Sequence, residues 1–106
     1  MRGEVLRGHL DLLLLSAVQA GPAHGYAIVE RLRDRSSGVL EVAEGTIYPA
    51  LHRLEGAGLL SSRWSTVAGR RRRVYRLTAR GERGLVSQSR EWRAFVAGVD
   101  AVVGAT

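Results

Sequence analysis

The chain of 106 residues contains no cysteine and no lysine. The missing cysteine excludes a disulfide framework, a thiolate metal site and a cysteine nucleophile. No apolar run approaches the ~20 residues that a membrane-spanning helix needs. The run from Leu12 to Ala17 is also short for a signal peptide, and the acids Glu4 and Asp11 interrupt its flanks. We therefore expect a cytoplasmic protein with one modest core, a size that self-association often completes.

The signatures of catalysis are missing as well. The three histidines, His9, His24 and His52, are scattered, and His52 with Glu55 is an isolated i, i+3 pair that lacks a third ligand. The sequence has no glycine-rich phosphate loop, no carboxylate pair and no nucleophile motif. We therefore expect no enzyme, no metal and no cofactor.

Positive charge is present, and it is unevenly distributed. All sixteen basic residues are arginines. Arginine suits phosphates and guanine edges, although the usage can also reflect genomic base composition. Residues 61–83 hold eight arginines against the single acid Glu82, whereas the rest of the chain holds eight arginines and nine acids. One short segment therefore carries the whole net charge of +6, which is typical of a protein that binds a polyanion.

The segment from Glu44 to Leu60 has the clearest helical pattern. Its apolar residues follow the i, i+3, i+4, i+7 spacing of one buried helix face: Ile47, Ala50, Leu51 and Leu54. Thr46 is the expected N-cap, which would place Pro49 in the first turn, where a missing N–H breaks no hydrogen bond. The outward residues are then Tyr48, His52, Arg53 and Glu55. Such a helix is either an ordinary amphipathic surface helix or one that presents its polar front to a groove.

Two helices are expected before this one. The first spans roughly residues 6–20, with these residues towards the core: Leu10, Leu13, Leu14 and Val18. Leu12 and Leu15 widen its apolar surface, which indicates burial on a second side against a partner subunit. The second helix runs from His24 or Gly25 to about Ser36, with an inner face of Tyr26, Val29 and Leu32. Leu40 and Val42 alternate as in a very short strand. Three short helices, the last with a polar front, predict a helix-turn-helix.

A β-hairpin is expected next, because the apolar period changes from helical to alternating after Gly58. Leu60, Ser62 and Trp64 would share one face of the first strand, and Arg73, Tyr75 and Leu77 would share one face of the second strand. Residues 65–69 are the expected turn, with four arginines at or near the tip: Arg70, Arg71, Arg72 and Arg73. Arginines at a tip suit phosphates or a narrow minor groove. They can also keep a turn soluble or bind RNA, although an aromatic stacking platform is missing.

A long final helix is expected from about Ala79 to Val103, capped by Thr78. It carries a wide apolar stripe: Leu85, Trp92, Phe95, Val96, Val99, Val102 and Val103. Little of the chain remains to cover this stripe, so we expect it to form a dimer interface together with the first helix. Trp92 could line a small-molecule cavity between the subunits, but an aromatic residue in such a stripe is more often interface core.

These segments resemble the PadR-like family of bacterial transcriptional regulators, in its short form with a single C-terminal helix. The most specific matches are Gly21-Pro22-Ala23-His24-Gly25-Tyr26 and Gly45-Thr46-Ile47-Tyr48-Pro49-Ala50-Leu51. Further matches follow in the family's order at residues 10–15, 58–60, 69–73, 75–78 and 91–92. The resemblance implies a mainly α fold, with a winged helix-turn-helix at residues 1–78 and a dimerisation helix at 79–106.

The resemblance also implies a function: a homodimeric repressor that binds a pseudo-palindromic operator in double-stranded DNA and is released by a small aromatic effector. The DNA-binding residues would be Tyr26, Thr46, Tyr48, Pro49, His52 and Arg53, with Arg70 to Arg73 from the hairpin. Tyr48 would donate to a phosphate, whereas Tyr26 would make a backbone contact or simply pack. The interface or effector residues would be Leu12, Leu15, Trp92, Phe95, Val96 and Val99. Glu44, which departs from the family pattern, would either disfavour a phosphate or order the helix N-terminus.

A protein-interaction module is the alternative from another class, because a winged helix alone does not determine function. The concentrated charge of residues 61–83 argues against it. The two functions differ in their response to salt, since DNA binding weakens steeply as counterions are added.

Overall fold

The computed structural model describes residues 3–104, which form four helices and one antiparallel hairpin. In chain order the elements are α1 (Gly3–Gln19), α2 (Gly25–Arg35), α3 (Glu44–Gly56), β1 (Leu60–Val67), β2 (Arg70–Leu77) and α4 (Ala79–Val103). The order is that of a winged helix-turn-helix followed by one long helix, as the sequence predicts. None of the helices in this part of the chain is long and apolar enough to cross a membrane.

Helix α1 lies at the centre of the fold and contacts α2, α3, β2 and α4. Its Leu14 and Leu15 are completely buried, as are Ile28 of α2 and Ile47 and Leu51 of α3. The predicted apolar face of α3 is confirmed, since all four of its residues are buried. Close packing of these three helices fixes the direction in which α3 presents its polar side.

Two faces predicted for the first helices need correction. Leu15 was expected at a subunit interface, but it is 0% exposed within the chain's own core. It therefore has no surface left for a partner. The predicted inner face of α2 is shifted, because α2 buries Ile28 and Leu32 one turn apart. Tyr26 lies about 200° around the helix from Ile28, and its side chain is 47% exposed.

The start of α3 also differs from the prediction. The helix begins at Glu44, and its N-cap is Ala43, which makes no side-chain capping bond. Thr46 lies inside the first turn, where its N–H donates to the Ala43 carbonyl at 3.0 Å. Pro49 is therefore inside the helix and cannot donate the usual bond to the carbonyl four residues earlier. This missing hydrogen bond is at Pro49, which lies on the exposed side of α3.

The predicted short strand at Leu40 and Val42 is not formed in the described structure. The Leu40 N–H donates instead to Ser36 Oγ at 2.8 Å, and Val42 packs into the core. A different residue extends the sheet: Ala23, just before α2, forms an isolated bridge with Tyr75 of β2. Two backbone hydrogen bonds of 3.0 and 2.8 Å join this pair and hold the start of α2 beside the hairpin.

The hairpin is longer and its turn tighter than predicted. Pairing runs from Leu60 opposite Leu77 to Val67 opposite Arg70. Only Ala68 and Gly69 are left for the turn, with positive φ angles of 50° and 78°, as in the two-residue turns that match strand twist. Consequently Arg70 is next to the turn, but Arg71, Arg72 and Arg73 lie along β2 rather than at the tip.

Helix α4 has the predicted bounds and the predicted cap. Thr78 Oγ1 accepts from the Gly81 N–H at 3.0 Å and donates to the Gly58 carbonyl at 2.6 Å. Gly81 allows a close approach, because a Cβ there would lie 2.0 Å from the Leu59 carbonyl oxygen. Leu85 is buried, whereas most of the helix beyond it is exposed. The N-terminal part of α4 is thus anchored to the body, and the outer part contacts α1 through Trp92 while most of its surface stays exposed.

Candidate nucleic-acid interface

The outer side of α3 carries two exposed residues predicted to meet DNA, Pro49 and His52. At 100° per residue they lie within about 60° of each other and opposite the buried face. Thr46 is also exposed, on the flank nearer α1. Tyr48 and Glu44 lie on the other flank, towards α2 and the hairpin. The structure therefore divides the predicted residues of α3 between a front and two flanks.

Tyr48 is held against the first residue of α2. A Cβ built on Gly25 would lie only 2.7 to 2.9 Å from the hydroxyl and ring atoms of Tyr48, so a larger residue at position 25 would displace this ring. The Tyr48 hydroxyl donates to Glu44 Oε1 at 2.6 Å. This hydrogen bond, together with burial, raises the pKa of Tyr48 to about 12. At neutral pH the phenol therefore keeps its proton and can donate only one hydrogen bond.

His24 supports the same corner of the molecule. It is the N-cap of α2, and its Nδ1 accepts from the Ala27 N–H at 3.3 Å. Burial lowers the pKa of His24, and the positive charge of Arg72 lowers it further. A neutral imidazole is the form that can accept this capping bond. Arg72 thus lies close to the start of α2.

The wing, which we define as β1 and β2 with their turn, carries the four predicted arginines in two arrangements. Arg71 and Arg73 lie with their guanidinium carbons 5.0 and 5.5 Å from the centre of the Trp64 ring. Arg73 is further held by α3, since its Nε donates to Ser62 Oγ at 2.8 Å and Ser62 donates to Glu55 at 2.6 Å. Arg70 and Arg72 form no ion pair with any residue in the described range.

An open groove of about 550 Å³ lies between the wing and the two helix starts. It is lined by Tyr26, Glu44, Arg70, Arg71 and Arg72. Tyr26 is therefore exposed beside the arginines rather than packed, and Glu44 is the single acid among the residues that line this groove. The geometry brings Tyr26, Tyr48 and the wing arginines to one corner of the surface.

Arg53 does not belong to this corner. Its two terminal nitrogens donate to the two carboxylate oxygens of Asp11 in α1, at 2.9 and 2.7 Å. This bidentate pair raises the pKa of Arg53. Arg53 was predicted to bind DNA together with His52, but here its guanidinium is turned towards Asp11 of α1. An ion pair this exposed contributes only about 0–1 kcal/mol to stability.

The predicted interface residues form a second surface, on the outer part of α4. The rings of Trp92 and Phe95 lie 6.0 Å apart, and His9 of α1 meets Trp92 edge-on at 4.7 Å. Beside them is a groove of about 500 Å³ lined by Gly8, His9, Asp11, Leu12, Arg53, Gln88, Glu91, Trp92 and Phe95. Val99 is exposed further along the helix, whereas Leu12 and Val96 are half-buried.

Sequence reasoning missed four residues that shape these surfaces: Asp11, Gly25, Glu55 and Trp64. The Trp64 contacts follow from strand register, since Trp64 is directly opposite Arg73. The other three residues make contacts with segments that are distant in sequence, so no local sequence pattern predicts these contacts. Among the side chains that the structure describes, no group of three or more His, Cys, Asp or Glu residues is placed to hold a metal ion.

Comparison with known proteins agrees with this architecture. The PadR-like family of transcriptional regulators matches residues 14–87. The transcriptional regulator Rv3488 of Mycobacterium tuberculosis is 39% identical over 87 residues, which are 82% of this chain and 78% of that protein. A PadR family regulator from Eggerthella lenta superposes with a TM-score of 0.82 at 35% identity, covering 97% of this chain and 88% of its own.

A PadR family regulator from Clostridium difficile is 31% identical with a TM-score of 0.78, covering 92% of this chain and all of its own. The match thus extends over the hairpin and α4 as well as the three-helix unit. These three proteins are regulators of transcription, as their names state. With the family profile covering most of its length, the chain belongs to the PadR-like family of transcriptional regulators.

Proposed function

We propose that the protein is a homodimeric repressor that acts in the cytoplasm and binds a pseudo-palindromic operator through α3 and the wing. DNA binding is implied by the family; the residue roles, the dimer and the repressor activity are our proposal. Pro49, His52 and Thr46 of α3 would enter the major groove. Tyr26, Tyr48 and the arginines Arg70 to Arg73 would contact the flanking phosphates or the minor groove.

The observation that carries this proposal is the line of arginines beside the exposed front of α3. Arg70 and Arg72 have no counterion among the described residues, and Trp64 supports Arg71 and Arg73. A row of guanidinium groups at the edge of a polar helix suits a duplex, because phosphates lie on both sides of the major groove. The solubility alternative would be served equally by mixed charges.

The proposed dimerisation through residues 79–106 is supported by the apolar side chains of the second surface. Phe95 is 57% exposed, and Trp92, Val99, Val102 and Val103 are exposed along the same helix. A second copy packed on these residues would remove them from water. This burial would stabilise the dimer by about 25 cal/mol for each Å² of apolar surface. Residues 1–78 would then be the DNA-binding unit of each subunit, and two recognition helices about 34 Å apart would meet successive major grooves.

An effector role for the second surface is supported by its aromatic side chains. The groove beside His9, Trp92 and Phe95 offers rings against which a planar aromatic compound can stack. Such a compound would release the repressor by changing the spacing of the two recognition helices. Quenching of Trp92 fluorescence in a Trp64→Phe variant tests this role, since Trp64 and Trp92 are the two tryptophans of the chain.

The experiment that tests the function is fluorescence anisotropy with the DNA upstream of the protein's own gene, against a scrambled duplex, across a salt series. A specific regulator is expected to prefer the native fragment by roughly 10³-fold or more. Equal, salt-sensitive binding to both duplexes would contradict sequence specificity and indicate an architectural role. Absence of binding at low salt would contradict DNA binding and favour a protein-interaction module.

A further inference from the structure

Glu44 stands where a phosphate would be expected. It is the acid in a groove otherwise lined by Tyr26 and the arginines Arg70, Arg71 and Arg72. It also lies in the first turn of α3, where backbone N–H groups and the helix dipole favour a negative charge. The chain has thus placed its own carboxylate among the groups that would recognise a DNA phosphate.

The Glu44 carboxylate also occupies the donor that the phosphate needs. Tyr48 has one hydroxyl proton, and it is donated to Glu44 Oε1 at 2.6 Å. The hydroxyl and ring atoms of Tyr48 pack against Gly25 at the start of α2, which places the hydroxyl beside Glu44. A phosphate that accepts from Tyr48 in this position must displace the carboxylate.

Glu44 is not held in place by any stronger bond. It forms no ion pair in the described part of the chain, although Arg70, Arg71 and Arg72 line the same groove. A carboxylate with a single hydrogen bond is easier to displace than one in a bidentate pair such as Asp11 with Arg53. An incoming phosphate can therefore exchange with Glu44 without breaking an ion pair of the fold.

From this geometry we infer that Glu44 is an internal competitor of the DNA backbone, a carboxylate that holds the Tyr48 hydroxyl until a phosphate takes its place. The inference rests on the proposed DNA-binding function and adds an affinity-setting residue to it. Glu44 lowers affinity for every duplex, since the contact it blocks is to the backbone and not to a base. Its role is to position Tyr48 in the DNA-free protein.

The test is the anisotropy titration with Glu44→Gln, which keeps the shape and replaces the charged acceptor of the Tyr48 hydroxyl with a neutral amide oxygen that a phosphate displaces more easily. We expect roughly tenfold tighter binding to the native and the scrambled duplex alike. The dependence of log K on log salt should steepen by up to about 0.9, because the removed carboxylate no longer offsets one of the arginine charges that neutralise phosphates. The matched control is Glu41→Gln, which makes the same charge change at an exposed residue outside the groove.

A double-mutant cycle with Tyr48→Phe separates competition for the hydroxyl from general repulsion. We expect Glu44→Gln to gain little affinity in the Tyr48→Phe background, because the hydroxyl whose hydrogen bond it weakens is then missing. An equal gain in that background, or an equal gain from Glu41→Gln, would overturn the inference. Unchanged or weaker binding by Glu44→Gln would also overturn it, with the wild-type titration showing that the DNA-binding function itself holds. If wild type and variants alike bind no duplex, the proposed function fails and this inference fails with it.

Discussion

The wing and the outer half of α4 leave opposite kinds of side chain without partners. On the wing, the groups without a partner are cations, since Arg63, Arg70, Arg72 and Arg76 form no ion pair with any side chain that the structure describes. On α4, the exposed groups are apolar, and Phe95 and Val102 are the clearest examples. The wing is therefore suited to bind a negatively charged partner, and the outer half of α4 is suited to be buried against an apolar one.

The two surfaces have different effects on the stability of the isolated chain in water. A solvated guanidinium is stable in water, so the wing can remain free until a polyanion approaches. An uncovered apolar stripe of this size is unfavourable in a soluble monomer. We therefore expect α4 to be covered permanently by a second copy, and the wing to be occupied only when the protein binds DNA.

Charged residues placed on the apolar stripe of α4 test whether this surface forms the dimer interface. Phe95→Glu combined with Val99→Glu is expected to convert the dimer to monomer, because two carboxylates would be buried without partners. Operator affinity should then fall by about 10²- to 10⁴-fold, since bivalent binding to two half-sites is lost. Sedimentation and anisotropy measure the two effects.

The control for this change is Ala94→Glu with Ala101→Glu, which adds the same two charges to exposed residues on the opposite side of α4. This variant should remain a dimer and bind the operator normally. A Phe95/Val99 variant that stays dimeric would show that the subunits associate through another surface.

Replacing the wing arginines with glutamine tests whether the wing binds DNA. The residues changed are Arg70, Arg71, Arg72 and Arg73. We expect affinity for every duplex to fall on the order of 100-fold, because contacts to phosphates are lost. The salt slope should fall by roughly 0.9 for each phosphate released. Anisotropy titrations at several salt concentrations report both quantities.

A second variant tests whether position or total charge matters. Replacing four arginines outside the wing, Arg33, Arg35, Arg90 and Arg93, removes the same charge. Its affinity and salt slope should stay close to the wild type's. Equal losses in the two variants would mean that net charge, and not the wing, attracts the DNA.

The comparison also shows which features a sequence can predict. The bounds of α4 follow from the Thr78 cap and the apolar period, and the buried face of α3 follows from its spacing, because both depend on residues within one or two turns. The alternation of the two strands was predicted for the same reason. The tight turn was not, since Ala68 adopts a positive φ that favours glycine or asparagine.

The arrangement of the candidate site was less predictable, because it depends on contacts between distant segments. The packing of Tyr48 on Gly25 joins residues of different helices, and Arg53 meets Asp11 across 42 positions. The Glu44–Tyr48 bond is local, at i, i+4, and follows once α3 begins at Glu44. Choosing Thr46 as the cap placed Glu44 outside the helix and concealed this pair.

His52 and Arg53 are neighbours in sequence but point to different surfaces, so their variants test where the DNA-binding surface ends. His52 lies on the exposed front of α3, whereas the Arg53 guanidinium is turned to Asp11 beside the α4 groove. His52→Ala is expected to change the preference between operator variants by roughly tenfold, the size of one lost base contact. Arg53→Ala should leave that preference and the affinity within about twofold, because it removes only an exposed ion pair.

Titrations of both variants against a set of single-base operator changes measure the contrast. Asp11→Asn is the informative companion, since it releases the Arg53 guanidinium without removing it. If Arg53→Ala alters base preference as strongly as His52→Ala does, Arg53 must leave Asp11 when DNA binds. Asp11→Asn would then tighten binding, and the ion pair between α1 and α3 would connect the α4 groove to the DNA-binding surface.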